Sequence, residues 1–242
     1  MGEARGDKST KIWDVLTSNC VKTLRDHIGE VFGIEILTNN SIASCSADKT
    51  IRIWNTDSGK CMKVLIGHTN NVWYIKKLTN DRLISASADK TIKLWNNNSG
   101  ECLRAFFGHE ASVRCLQVLS TIVCILSGSL DKTIKQWNVN TGECLQTFRG
   151  HTDVVYSIQV LSIDRIIGCS KDTSVELWCL LTNSCLKTFA GHANKVFDIQ
   201  EISINSVATC STDRTIKIWD LTSGDCIKTF QEVNKVLAIQ TF

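Results

Sequence analysis

Residues 67–106 read GHTNNVWYIKKLTNDRLISASADKTIKLWNNNSGECLRAF, and turn residues divide them into four short runs, VWYIKKL, RLISAS, TIKLW and ECLRAF. Each run is rich in Val, Ile, Leu, Thr or aromatic residues, and none reaches the roughly ten residues of a typical helix, so the stretch predicts four β-strands. The unit is repeated along the chain. Trp13, Trp54, Trp95, Trp137, Trp178 and Trp219 recur at intervals of 41, 41, 42, 41 and 41 residues, the period of a supersecondary unit stacked end to end. Asp7, Asp48, Asp89, Asp131, Asp172 and Asp213 each precede a tryptophan by six residues, and all five histidines, His27, His68, His109, His151 and His192, keep the same period.

Turn chemistry supports this division. Five residues after each tryptophan stand Ser18, Gly59, Gly100, Gly142, Asn183 and Gly224, mostly residue types that tolerate positive φ in a tight hairpin. Proline is absent, which fits sheets whose N–H groups are needed in the ladders. Four antiparallel strands repeated radially, apolar on both faces because each sheet lies between neighbours, follow the logic of a β-propeller. The expectation is a single all-β domain over 1–242.

Length and composition bound the rest. The 242 residues are 43% hydrophobic, enough for a sizeable core. The 27 basic and 24 acidic residues nearly balance, and the longest basic run is Lys76-Lys77, so there is no strong electrostatic footprint for nucleic acid. The opening MGEARGDKSTK lacks the apolar run of a signal peptide, and no stretch reaches the roughly 20 apolar residues of a membrane span. The expected location is the cytoplasm, with the nucleus as the alternative. Of twelve cysteines, Cys20, Cys61, Cys102, Cys144, Cys185 and Cys226 each follow their tryptophan by seven residues, and Cys45, Cys169 and Cys210 share another repeat position. Such spacing predicts free, buried thiols rather than disulfides or a zinc site, and no cofactor or metal is expected.

GH at 67–68, 108–109, 150–151 and 191–192, SADKTIRIW at 46–54, SADKTIKLW at 87–95 and STDRTIKIWD at 211–220 resemble the WD-repeat family across essentially the whole chain. The resemblance implies a β-propeller that binds protein or peptide partners. It also bears on sets such as His27-Ser44-Asp48-Trp54 and His68-Ser85-Asp89-Trp95, echoed by His109-Ser127-Asp131-Trp137 and His192-Thr209-Asp213-Trp219. These look like components of a hydrolase site. An enzyme needs one constellation in one cleft, however, and in this family the four positions form a structural hydrogen-bond network. The fifth unit carries Gly168 where the hydroxyl should be, so its network should be the weakest.

Counting strands leaves an anomaly at the termini. TKIWDV begins near the amino end and VLAIQTF, near the carboxyl end, matches only an innermost strand, giving five complete blades and one split between the termini. A six-bladed ring is the favoured reading, and a piece of a seven-bladed propeller the alternative.

Repeated residues hold the scaffold, so partner contacts are expected where repeats differ. Five residues after each histidine, at the start of the innermost strand, stand Phe32, Trp73, Arg114, Tyr156 and Phe197, with Leu237 aligned in the last unit. Aromatic residues with arginine form binding hot spots, although rings at this position could equally pack between blades. Arg114 favours solvent, because arginine rarely sits unpaired in a core. Lys171, Lys195 and Lys235 add a prospective basic sector. The leading function is a non-catalytic scaffold, a subunit of a larger complex. The alternatives are a phosphopeptide or acidic-motif receptor of ubiquitin-ligase type, and a propeller enzyme, for which no free histidine, metal cluster or phosphate loop is found.

Overall fold

A computed structural model describes residues 2–4, 8–38, 40–119, 123–162 and 164–239. All regular structure among them is β-strand, in six antiparallel sheets. The first sheet has three strands, β1 (Gly2–Ala4), β2 (Thr10–Trp13) and β3 (Cys20–Leu24). Five four-stranded sheets follow: β4 (Val31–Thr38), β5 (Ser41–Ser46), β6 (Ile51–Asn55) and β7 (Cys61–Leu65); β8 (Val72–Lys77), β9 (Arg82–Ser87), β10 (Ile92–Asn96) and β11 (Cys102–Phe106); β12 (Val113–Val118), β13 (Cys124–Ser129), β14 (Ile134–Asn138) and β15 (Cys144–Phe148); β16 (Val155–Val160), β17 (Arg165–Ser170), β18 (Val175–Cys179) and β19 (Cys185–Phe189); and β20 (Val196–Ser203), β21 (Ser206–Ser211), β22 (Thr215–Asp220) and β23 (Cys226–Gln231). Each is a sequential meander, the blade of the β-propeller class. The chain divides into two compact units, residues 1–113 and 114–242.

The hairpin between the third and fourth strands of each blade follows from one residue. Ser18, Gly59, Gly100, Gly142, Asn183 and Gly224 all have positive φ, from 56° to 91°, as the turn reading predicts. Each hairpin then meets a β-bulge at its tryptophan, as where Trp54 pairs with Cys61 and Trp95 with Cys102. The bulge sharpens the local twist of the blade's outer edge.

Burial follows strand position. The second strands are buried on both faces: β5, β9, β13, β17 and β21 each show five consecutive buried residues. Within the first unit β4 and β5 pack on β8, and Trp95 shares a cluster with Ile51, Leu65 and Val72. In the second, β13 packs on β16 and β16 on β20, and Trp178 joins Ile134, Phe148 and Val155. A tryptophan thus fills the seam against the adjoining blade, burying about 150–250 Å² of ring surface per position.

Two expectations need correction. All twelve cysteines are free thiols, but Cys20, Cys102, Cys144, Cys185 and Cys226 are exposed and Cys61 half-buried, because they open the last strand of each blade, a sheet edge facing water. Only Cys45, Cys115, Cys169 and Cys210 are buried. At the carboxyl end, the described part of VLAIQTF, 236–239, forms no strand; residues 240–242 lie outside the described residues, as does Asp7. The segment still runs beside the last blade. Val236 N–H donates to the Ser211 carbonyl at 3.3 Å, and Ile239 N–H to Asp198 Oδ2 at 3.1 Å.

Candidate functional site

The blade networks come first, because they decide whether the histidines are available for chemistry. In the second blade His27 Nδ1 lies 2.7 Å from Asp48 and its Nε2 2.8 Å from Ser44 Oγ, which also accepts Trp54 Nε1–H at 2.8 Å. His68, Ser85, Asp89 and Trp95 repeat these contacts at 2.7, 2.7 and 2.8 Å, and His192, Thr209, Asp213 and Trp219 at 2.8 Å throughout. Trp137 donates to Ser127 at 2.7 Å. Each aspartate does more than hold the imidazole. Asp48 also accepts from Ile28 N–H, Thr50 N–H and the Thr50 hydroxyl, tying the loop before the innermost strand to the turn between the second and third.

The electrostatics follow from this bonding. Burial depresses the pKa of His27, His68 and His192, an effect their aspartates only partly offset, so the imidazoles are neutral at pH 7. Burial alone would raise the Asp213 carboxyl, yet hydrogen bonds from Thr215, His192 and the Ala193 N–H bring it down to about 2. With Asp accepting from Nδ1–H, Nε2 accepts the hydroxyl proton, and every polar atom is used within the blade. These sets staple the loop before the innermost strand to the middle strands of the blade.

The fifth blade is defective where Gly168 predicts it. His151 Nδ1 stands 3.1 Å from Asp172, longer than in its neighbours, and shares Ser174 Oγ at 3.0 Å. His151 Nε2 and Trp178 Nε1 are buried without a hydrogen-bond partner among the described residues.

The residues that differ between repeats lie at the same end of each sheet as the aspartate turns. Val31 pairs with Ser46, and Ala47 N–H donates to the Glu30 carbonyl, so Phe32 starts its strand beside the turn of Asp48. Phe32 and Trp73 are half-buried and packed together with ring centroids 4.3 Å apart, and Trp73 Nε1–H donates to Ser112 Oγ at 2.9 Å. Tyr156 and Phe197 stack at 4.5 Å with their planes 13° apart, both half-buried. The two readings of these rings merge: each ring packs on the ring of the neighbouring blade while keeping part of its surface in water. Arg114 is likewise half-buried, and burial holds its guanidinium below the usual range beside Tyr156.

The other positions separate. Lys171 forms an ion pair with Asp153 at 3.0 Å, so its charge is matched locally. Lys195 is half-buried just before β20, while Lys235 and Leu237 are exposed on the segment that forms no strand. Leu237 therefore does not share the ring geometry of its aligned positions. Among the described residues no group of three or more His, Cys, Asp or Glu is placed to hold a metal, and no helix is long and apolar enough to cross a membrane.

Sequence reasoning missed two sets of residues at this end. Ile28, Ile66 and Phe107 are 78%, 76% and 73% exposed, on the loops that bracket His27, His68 and His109. For Ile66 and Phe107 the signal was available: the position before each Gly-His reads Ile66, Phe107, Arg149 and Ala190, varying as a partner surface would. Lys49, Lys90, Lys132 and Arg214, each following a network aspartate, are exposed and hold φ near +70°. An L-residue there costs about 1–2 kcal/mol relative to its ordinary conformation, which glycine would avoid.

Comparison with curated proteins gives no match. The family model of the WD domain, G-beta repeat, matches five times in tandem, at residues 18–55, 59–96, 100–138, 142–179 and 183–220. Those boundaries fall at the hairpin turns, with Ser18, Gly100, Gly142 and Asn183 each opening a match. With its tandem matches and its bonded His, Ser or Thr, Asp and Trp sets, the chain belongs to the WD-repeat family.

Proposed function

We propose that this WD-repeat protein is a non-catalytic interaction scaffold that captures a protein or peptide partner on the sheet ends bearing Phe32, Trp73, Arg114, Tyr156 and Phe197, as a subunit of a larger complex. The reading rests chiefly on the coincidence of half-exposed ring pairs with Ile28, Ile66 and Phe107 on adjacent loops of the first unit, where single exposed apolar residues would need no explanation. The repeated polar groups are consumed by the staples, which leaves the variable positions to carry recognition. A second reading, recognition of an acidic or phosphorylated segment, draws on the exposed Lys49, Lys90, Lys132 and Arg214 turns and on Arg114.

The test is partner capture by wild type and by Trp73→Ala combined with Phe197→Ala. Each substitution dismantles one ring pair worth about 0.5–1.5 kcal/mol, so the melting temperature falls by several degrees while folding persists. Capture is lost if these ends bind. Undiminished capture by the folded double variant refutes the assignment. Weakening of capture by about 0.5 M salt and by Lys49→Glu with Lys90→Glu selects the acidic-segment reading.

A further inference from the structure

The seam between the second and third blades, both in the first unit, breaks the repeat at the end of the sheets away from the aspartate turns. In two other seams a lysine two residues after the hairpin cysteine crosses to the next blade: Lys22 Nζ donates to the Asp57 carbonyl, and Lys187 Nζ to the Thr222 carbonyl. Lys63 holds the same position on β7, where the matching acceptor is the Asn98 carbonyl. That bond is not made. Lys63 is half-buried, and its ammonium has no hydrogen bond or ion pair among the described residues. Asn97 is a second departure. Two residues after their tryptophans, Val139, Leu180 and Leu221 are buried apolar side chains, and Asn97 is buried in their place. Its Nδ2 reaches the Asn80 carbonyl at only 3.4 Å, and its Oδ1 has no partner among the described residues.

Where these departures meet, a cavity of about 240 Å³ opens between the two blades. Leu37, Ile53 and Met62 give it an apolar wall, and Lys63, Asn97 and Asn98 a polar one. Ser41, also lining it, opens β5 where the longer Arg82 and Arg165 open β9 and β17. Among the described residues lining the cavity, Lys63 alone is charged, and none is a carboxylate. We propose that this cavity is a binding site for a small carboxylic acid with an aliphatic body, its carboxylate on Lys63 and its chain against Leu37, Ile53 and Met62. A half-buried ammonium without a partner has lost hydration for no return, and a carboxylate supplies the charge-assisted bond it lacks. The Asn97 amide, so weakly held, can turn its Nδ2 to the same carboxylate. A phosphate would call for more than the single cation present. A cavity of about 150 Å³ admits benzene, so this one admits a ligand of about ten non-hydrogen atoms, the size of octanoate. An apolar pocket with a few placed polar groups is the usual form of a small-molecule site.

The experiment is an NMR titration of isotope-labelled wild type, Lys63→Met and Ser41→Met with sodium octanoate and with 1-octanol, its uncharged analogue. Saturable octanoate binding should shift the Lys63 and Asn98 amides and be about tenfold tighter than 1-octanol binding, the worth of one hydrogen bond to a charged group. Lys63→Met should weaken octanoate by about tenfold and leave 1-octanol unchanged. Its ammonium has no partner to lose, so the variant keeps the fold. Ser41→Met, which fills the cavity, should abolish binding of both probes. Octanoate shifts that never saturate, equal octanoate affinity in wild type and Lys63→Met, or undiminished binding by Ser41→Met overturns the proposal. So does loss of partner capture in Lys63→Met without octanoate binding to wild type, which assigns the cavity to a protein segment. Should Ser41→Met fail to fold, the comparison of wild type with Lys63→Met still decides.

Discussion

Ser85→Ala tests the staple reading most sharply, because it removes two hydrogen bonds and little volume. Ser85 is fully buried, and its Oγ lies 2.7 Å from His68 Nε2 and 2.8 Å from Trp95 Nε1, groups 6% and 1% exposed. Alanine keeps the Cβ, so the cavity contribution is small. Two buried polar atoms are orphaned, each at a cost of about 1–3 kcal/mol, and a loss of about 3 kcal/mol is expected. For a domain of this size that corresponds to roughly 6–12 °C in the melting temperature, read by circular dichroism or calorimetry. Ser99→Ala, in an exposed turn, is the control and should stay within about 2 °C. Trp95→Phe should rescue part of the loss, since it deletes one orphan: the double variant costs less than the sum of the singles. A Ser85→Ala melt within about 2 °C of wild type, or strict additivity with Trp95→Phe, would refute the reasoning.

Three further outcomes follow. On acidification, stability should first decline below pH 6.5, because unfolded histidines protonate while burial keeps His27, His68 and His192 neutral in the fold, and then fall more steeply below pH 3.8 as the depressed Asp48 and Asp213 carboxyls are titrated; a flat urea midpoint from about pH 7 to 4 contradicts this. Glu176 has the opposite sign: its folded pKa is raised, so wild-type stability is lost as pH rises from 4.5 through the folded value, with His151 and Asp172 the titratable neighbours. Glu176→Gln should therefore stabilise at about pH 7 more than at about pH 4, and an equal melting difference at the two pH values counts against it. Cys179 replaces the Asn or Asp that opens the hairpin in other repeats, and hydrogen bonds from the Thr182 side chain and the Thr182 and Leu181 N–H groups hold its thiol below the usual range. Mass spectrometry after brief iodoacetamide exposure at about pH 7.5 should find Cys179 alkylated ahead of Cys102 and Cys144; equal rates refute the reactivity.

The blade was legible because it is repeated. The tryptophan period fixes the number of units, the residue five places later fixes each hairpin, and Gly168 marks the broken staple. What was not legible depends on edges and orientation. The cysteine after each tryptophan has the spacing of a core residue, yet it opens an edge strand, and only the ladder order reveals its exposure. The rings of Phe32 and Trp73 read equally well as core or contact from sequence, because one ring can pack on its neighbour and still face water. Leu237 was aligned by its place in the repeat, but the described segment carrying it, 236–239, forms no strand to hold it in register.

The central claim is that repeated residues build the scaffold and the variable sheet ends make the contacts. Site-specific photo-crosslinking tests it directly, with benzoylphenylalanine placed at Trp73, at Phe197 and, on an exposed edge strand, at Met62. The account predicts crosslinked partner from positions 73 and 197 and none from position 62; crosslinking from Met62 alone would contradict it.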